Sequence, residues 1–346
     1  MKKSLKILIG IVVACSIIGI TIYTYQFIIQ NESEEATVLT AEEDKYTIFT
    51  SILPQEYFVE RIGGDRVEVK ALVSPGNNPA TYEPTPRQMA NLAKAKIFFR
   101  IGVPFENAFL PKIEGEGLRI VDTRKGITLR KMKSHHHNEY SHKHEHENEE
   151  EGEQHHKKDE DSEKGDEEHH HDTGNDPHIW LSPRLVKIQA RTITDALIEV
   201  DPIGREVYEK NLVVFLKDLD ALDTDLAKVL APVKGKTLMV FHPAWGYLAD
   251  DYGLDQKPIE IEGKNPSAKQ LTRMIEIAKE EGVRVIFVQP QFNKQSAQRI
   301  AEAIGGVVVP LDPLARDYVG NMKRVAEVVQ KKLQKQEKER SRRYYE

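Results

Sequence analysis

The 346-residue chain carries 49 Lys/Arg against 55 Asp/Glu, a net charge of −6. The balance is uneven: residues 134–175 hold −11 of it, which leaves +5 on the remainder. That mild remainder shows no basic stripe with interleaved aromatics, which argues against a nucleic-acid partner. The single cysteine, Cys15, excludes an intramolecular disulfide and a cysteine-based zinc knuckle.

The length suits about two domains. Lys2, Lys3 and Lys6 precede an uncharged run of 23 residues, Ile7–Ile29. As a helix this run would be about 35 Å long, enough to cross a hydrocarbon core of about 30 Å. Lysines before it and Glu32, Glu34 and Glu35 after it orient the N-terminus inside and the body outside. Val12-Val13-Ala14-Cys15 is similar to a lipoprotein cleavage box, but apolar sequence continues well past the cysteine. An uncleaved anchor is therefore favoured over a lipoprotein or a cleaved signal. All three readings place the body extracytoplasmically, on the outer face of the cytoplasmic membrane, as a periplasmic or cell-surface protein. Residues 1–44 form the anchor or signal with its tether.

Residues 45–202 read as a first α/β lobe. Its predicted elements are strand Tyr46–Thr50, helix Gln55–Ile62, strand Val67–Val73, helix Arg87–Ala95, strand Ile97–Gly102 and a short strand Ile120–Asp122. Strands and helices alternating at this spacing predict a parallel sheet. The lobe is interrupted over 132–175 by a stretch almost free of large apolar side chains, which predicts disorder there. Pro183 opens a helix that closes the lobe near Val200. Residues 203–231 read as one long linking helix, with Leu212, Phe215, Leu216, Leu219, Leu222, Leu226 and Leu230 at helical spacing. Residues 232–335 read as a second α/β lobe: strand Thr237–Phe241, helix Lys269–Glu281, strand Val283–Val288, helix Gln295–Ile304, strand Val307–Leu311 and helix Tyr318–Lys335. The charged tail 336–346 is expected to fray.

Eleven of the thirteen histidines fall between His135 and His171. The other two stand in ordered-looking sequence, as Asp176-Pro177-His178-Ile179-Trp180 and Phe241-His242-Pro243-Ala244-Trp245. Imidazole is a common ligand of zinc and its neighbours. The split suggests a many-histidine strip that collects metal weakly and a small built site. Plain structural roles stand beside these: capping or packing near Trp180 for His178, a backbone-bonded core position for His242, and a solvated acidic loop for the insertion.

Five short motifs occur in order: Pro75-Gly76 with Tyr82-Glu83-Pro84-Thr85-Pro86, the Asp176–Pro183 segment, Phe241–Tyr247, Pro290-Gln291-Phe292 and Leu311-Asp312-Pro313-Leu314. With them the chain resembles the solute-binding proteins of zinc and manganese ABC importers over about residues 46–332. The resemblance implies two parallel-sheet lobes joined by a single long rigid helix, with the metal in the cleft between them. It implies His178, His242 and Asp312 as metal ligands. The family's usual first histidine is replaced here by Ala80, so a fourth donor must come from elsewhere. Glu83, Tyr82, Glu262, a water and a histidine from the insertion are all candidates.

Two imidazoles and a carboxylate suit Zn²⁺, with Mn²⁺ or Fe²⁺ as other cargoes. The resemblance further implies an ABC permease as partner, a monomer, and binding rather than catalysis. A surface metal buffer or adhesin-like protein is an alternative. A metallohydrolase is a weaker one, because no His-Glu-x-x-His helix and no Gly-x-Ser-x-Gly elbow occur.

Overall fold

A computed structural model of the chain describes residues 20–26, 45–113, 117–132, 174–260, 266–292 and 294–345. The histidine-rich insertion falls outside these residues except for its two ends, and so does most of the Ile7–Ile29 run. Residues 20–26 are helical. Among the described residues no helix is long and apolar enough to cross a membrane.

The chain from Tyr46 onward builds two four-stranded sheets, all parallel. The first contains β1 (Tyr46–Thr50), β2 (Val67–Ala71), β3 (Ile97–Arg100) and β4 (Arg119–Asp122), in the order β2-β1-β3-β4. The second contains β5 (Thr237–Val240), β6 (Asp255–Pro258), β7 (Val285–Val288) and β8 (Val307–Pro310), in the order β6-β5-β7-β8. The two lobes thus share one permutation. In each, the chain leaves the first strand in one direction and later returns to its other side. That leaves a crevice at the carboxyl ends of the two central strands, where open α/β sheets bind ligands. Every residue of β7 is buried, as a parallel strand covered on both faces requires.

The first lobe's helices are α1 (Leu53–Gly63), α2 (Pro86–Leu92), α3 (Glu106–Ile113) and α4 (Pro183–Val200). The long helix α5 spans Arg205–Leu230, 26 residues or about 39 Å. It buries Tyr208, Phe215, Leu219, Leu222, Leu226 and Leu230. This stripe lies against α1 and α4 of the first lobe and against the C-terminal helix of the second. The architecture expected from the sequence is the one found.

The second lobe adds α6 (Gly246–Tyr252), α7 (Ala268–Glu280), α8 (Gln295–Ala303) and α9 (Tyr318–Tyr345). Three of these elements were not evident in the sequence: α3, α6 and β6. An internal proline, Pro111, masks α3, and β6 is a polar edge strand closed by Pro258. The tail does not fray as expected. Helix α9 continues through Tyr345, the Arg284 amide donates to Gln336 Oε1 at 2.8 Å, and Lys236 pairs with Glu337 at 2.8 Å. Polar partners there extend the face on which Val329 and Leu333 are buried.

Candidate metal centre

His242 lies two residues past the end of β5, at the crevice of the second lobe. Three neighbours fix it. The Gln289 carboxamide, just beyond β7, accepts from the His242 amide at 3.2 Å and donates to the His242 carbonyl at 2.7 Å. This side chain continues the β5–β7 ladder past the last backbone pairing, the bond from the Phe241 amide to the Phe287 carbonyl. The Phe292 ring stacks on the imidazole at 4.9 Å between centroids. Glu260, buried just past β6, bonds Nδ1 through Oε1 at 2.5 Å.

His178 comes from the first lobe. Residues 130–132 and 174–176 run antiparallel: Lys131 bridges Asn175, the Met132 amide donates to the Gly174 carbonyl at 3.2 Å, and the Asp176 amide donates to the Arg130 carbonyl at 2.8 Å. At the end of this ribbon Asp176 turns inward, fully buried. Its Oδ1 accepts from His178 Nδ1 at 2.7 Å and from the His178 amide at 3.0 Å. Trp180 flanks the imidazole at 5.0 Å and donates from Nε1 to the Pro313 carbonyl of the second lobe at 2.7 Å.

The two imidazoles meet across the cleft, with Nε2 to Nε2 at 3.2 Å. Each Nδ1 faces a carboxylate oxygen, so in the neutral ring Nδ1 carries the proton and Nε2 presents a lone pair. Two such lone pairs at that distance fit a shared cation. Two nitrogens on one tetrahedral Zn²⁺, each about 2.0–2.1 Å from it, stand roughly 3.3 Å apart. The observed separation therefore suits a common ion with almost no movement. Carboxylates on the far nitrogens fix the ring orientation and raise ligand basicity, as in other histidine metal sites. Burial pushes the His178 pKa down, outweighing the opposite pull of Asp176, which favours the neutral, ligating form of the ring.

A cavity of about 70 Å³ opens beside the pair. Its walls include Ala80, Val103, Met132, Phe292 and Leu314. It is a small, mostly apolar chamber with two nitrogen donors.

The other expected site residues are placed differently. Ala80 lines this cavity, whereas Tyr82 and Glu83 do not. Tyr82 exchanges hydrogen bonds with Gln88, and Glu83 is exposed. Glu262 lies outside the described residues. Asp312 lines a neighbouring cavity with Gly76 and Arg316. Its Oδ1 accepts from Gln291 Nε2 at 3.0 Å and from the Leu314 amide at 2.9 Å, a turn-closing arrangement. Pro313, Leu314 and Gln291 connect its loop to the histidine cavity. The structure thus brings His178 and His242 together, while the Asp312 carboxylate is bonded to Gln291 and to its own turn beside the neighbouring cavity. Among the described residues no group of three or more His, Cys, Asp or Glu side chains is gathered to hold one ion.

Residues 48–332 match the sequence profile of the family described as zinc-uptake complex component A, periplasmic. The chain belongs to this family. It is 31% identical over 277 residues to the high-affinity zinc uptake system protein ZnuA of Bacillus subtilis, covering 78% of this chain and 79% of that one. A crystal structure of ZnuA superposes with a TM-score of 0.70 at 39% identity, covering 84% of this chain and all of that one. A zinc-bound ZnuA deletion mutant lacking residues 138–173 superposes with a TM-score of 0.69, also at 39% identity, over 84% of this chain and 98% of that one.

In this family member the residues that orient the imidazoles were missed in the sequence. Asp176 was visible as part of Asp-Pro-His, where a carboxylate two residues before a histidine can fold back onto its ring. Glu260 carried a weaker signal, the alternation of Ile259-Glu260-Ile261-Glu262, which puts one glutamate on each face. Gln289 carried none, because its role depends on strand pairing.

Proposed function

We propose that this chain captures Zn²⁺ outside the cytoplasmic membrane and delivers it, as a monomer, to the permease of an ABC importer. The observation that carries the reading is the opposed pair of Nε2 atoms, each imidazole oriented by a buried carboxylate. His178 and His242 are the first two ligands. Asp312 is assigned as the third, because its loop also supplies Pro313 and Leu314 to the cavity wall. To reach the ion it must give up its bonds to Gln291 and the Leu314 amide. Water takes the position that Ala80 leaves without a side-chain donor. Two imidazoles favour zinc over Mn²⁺ or Fe²⁺. The Ile7–Ile29 run is proposed to hold the protein at the membrane, close to its permease.

Competition between metals on the purified protein tests the reading. Zn²⁺ should displace Mn²⁺ completely at equal concentration, and Asp312→Asn should lower zinc affinity at least tenfold. Preference for Mn²⁺ would overturn the choice of cargo. A loss below threefold in Asp312→Asn would return that residue to its turn.

A further inference from the structure

Arg130 is not part of the metal site, yet it sits behind it. Asp176 divides its carboxylate: Oδ1 holds His178, and Oδ2 accepts from Arg130 at 3.2 Å. The same guanidinium reaches across to the second lobe, where its Nε lies 2.9 Å from Asp250 of α6. Tyr247, on the first turn of α6, stands 5.7 Å from the guanidinium carbon. The Tyr247 hydroxyl accepts from the Arg130 amide at 3.1 Å and donates to the Asp176 carbonyl at 2.8 Å. Gly246 makes room for this approach: a Cβ there would fall 1.3 Å from an Arg130 nitrogen. One side chain of the first lobe is thus seated on the first turn of a second-lobe helix, and its other end orients the carboxylate that orients His178.

We infer that Arg130 is a positioning residue that makes zinc coordination by His178 depend on docking between the lobes. When α6 holds the guanidinium through Asp250 and Tyr247, Asp176 is fixed and His178 points its lone pair across the cleft. When the lobes part, Arg130 loses its seat on Asp250 and Tyr247, its guanidinium no longer fixes the Asp176 carboxylate, and the imidazole gains freedom and loses affinity. Affinity would then be high in the docked form and low in the parted one, as a carrier that must surrender its cargo requires. The inference rests on the zinc-binding reading.

The test uses the full chain and zinc itself, by chelator competition, with Co²⁺ absorption as a second readout. The wild type must bind zinc tightly; if it does not, the binding reading fails first, and separately. Given that, Arg130→Gln should weaken zinc by about tenfold, the lower end of the effect of removing a ligand's own hydrogen-bond partner, and should change the Co²⁺ band intensities. Arg130→Lys should not restore affinity, because one ammonium cannot span both carboxylates. Asp250→Asn touches no ligand and lies on an exposed side chain, so it keeps the test open should Arg130→Gln fail to fold. It should weaken zinc at least threefold, and the pair of changes together should be no worse than Arg130→Gln alone. Unchanged affinity and spectra in Asp250→Asn, or strictly additive losses, would overturn the inference.

Discussion

At the residue scale, the chemistry is that of two rings with their protons assigned. His178 and His242 each spend Nδ1 on a carboxylate, which leaves Nε2 for the metal in the proposed site, so replacing either by alanine would remove a ligand there. Zinc affinity should fall by well over tenfold in each variant, read by chelator competition. If both variants still bind tightly, the ion is elsewhere. Glu260→Gln leaves an oxygen that can accept from His242 but removes the charge. The expected loss is about tenfold, and an unchanged affinity would show that Glu260 serves packing alone. His178 also sets a pH dependence. Its pKa is lowered in the fold from the ordinary 6.5, so the folded state favours the neutral ring. That stability is present above the ordinary value and is lost as pH falls through the lowered one. An NMR titration of the metal-free protein should put the His178 midpoint below 6.5; a midpoint above that value would contradict the burial argument.

At the scale of elements, sequence periodicity located most of the chain. Helix α5 was legible because Phe215, Leu219, Leu222, Leu226 and Leu230 repeat at three- and four-residue steps. The central strands were legible as short apolar runs between turns. Strand β6 was not, because Asp255-Gln256-Lys257-Pro258 has no apolar alternation and pairs on one side only. The motifs place His178, His242 and Asp312 near one another, and the structure brings the two imidazoles together while Asp312 closes its own turn: whether a carboxylate closes its own turn or reaches a neighbour depends on the fold of both loops. Gln289 shows how strand pairing adds information. A Gln289→Leu change would leave the His242 amide and carbonyl without these partners, at about 1–3 kcal/mol each. Chemical denaturation should register that loss, and an unchanged midpoint would mean that the clamp is dispensable. The insertion's ends are already paired through Lys131, Met132, Gly174 and Asn175. Deleting residues 134–172 should therefore preserve the melting temperature within a few degrees while removing weak metal sites. A large drop would show that the segment supports the fold.

At the scale of the whole molecule, the lobes are not separate beads. One apolar cluster runs from Ile48 and Phe58 in the first lobe through Phe215 and Leu222 of α5 to Leu311 and Val329 in the second. Arg316 of the second lobe reaches Glu56 at 2.7 Å and Glu60 at 2.5 Å on α1. Trp180 and Arg130 tie the lobes at the cleft itself. Such a joint favours small rocking over wide opening, which suits an ion held between ligands from both lobes. Zinc bound only by the folded form would stabilise it by linkage, by about 4 kcal/mol when free metal is a thousandfold above Kd. A melting temperature that does not rise with zinc would mean the ion does not select that form.

The most direct test is the zinc stoichiometry and affinity of the chain without residues 1–44 and 134–172, measured by chelator competition with and without His178→Ala. We expect one tight ion per chain, lost in the variant: the two opposed imidazoles then suffice to found the site despite alanine at position 80. No tight ion, or one that survives the loss of His178, would contradict the account.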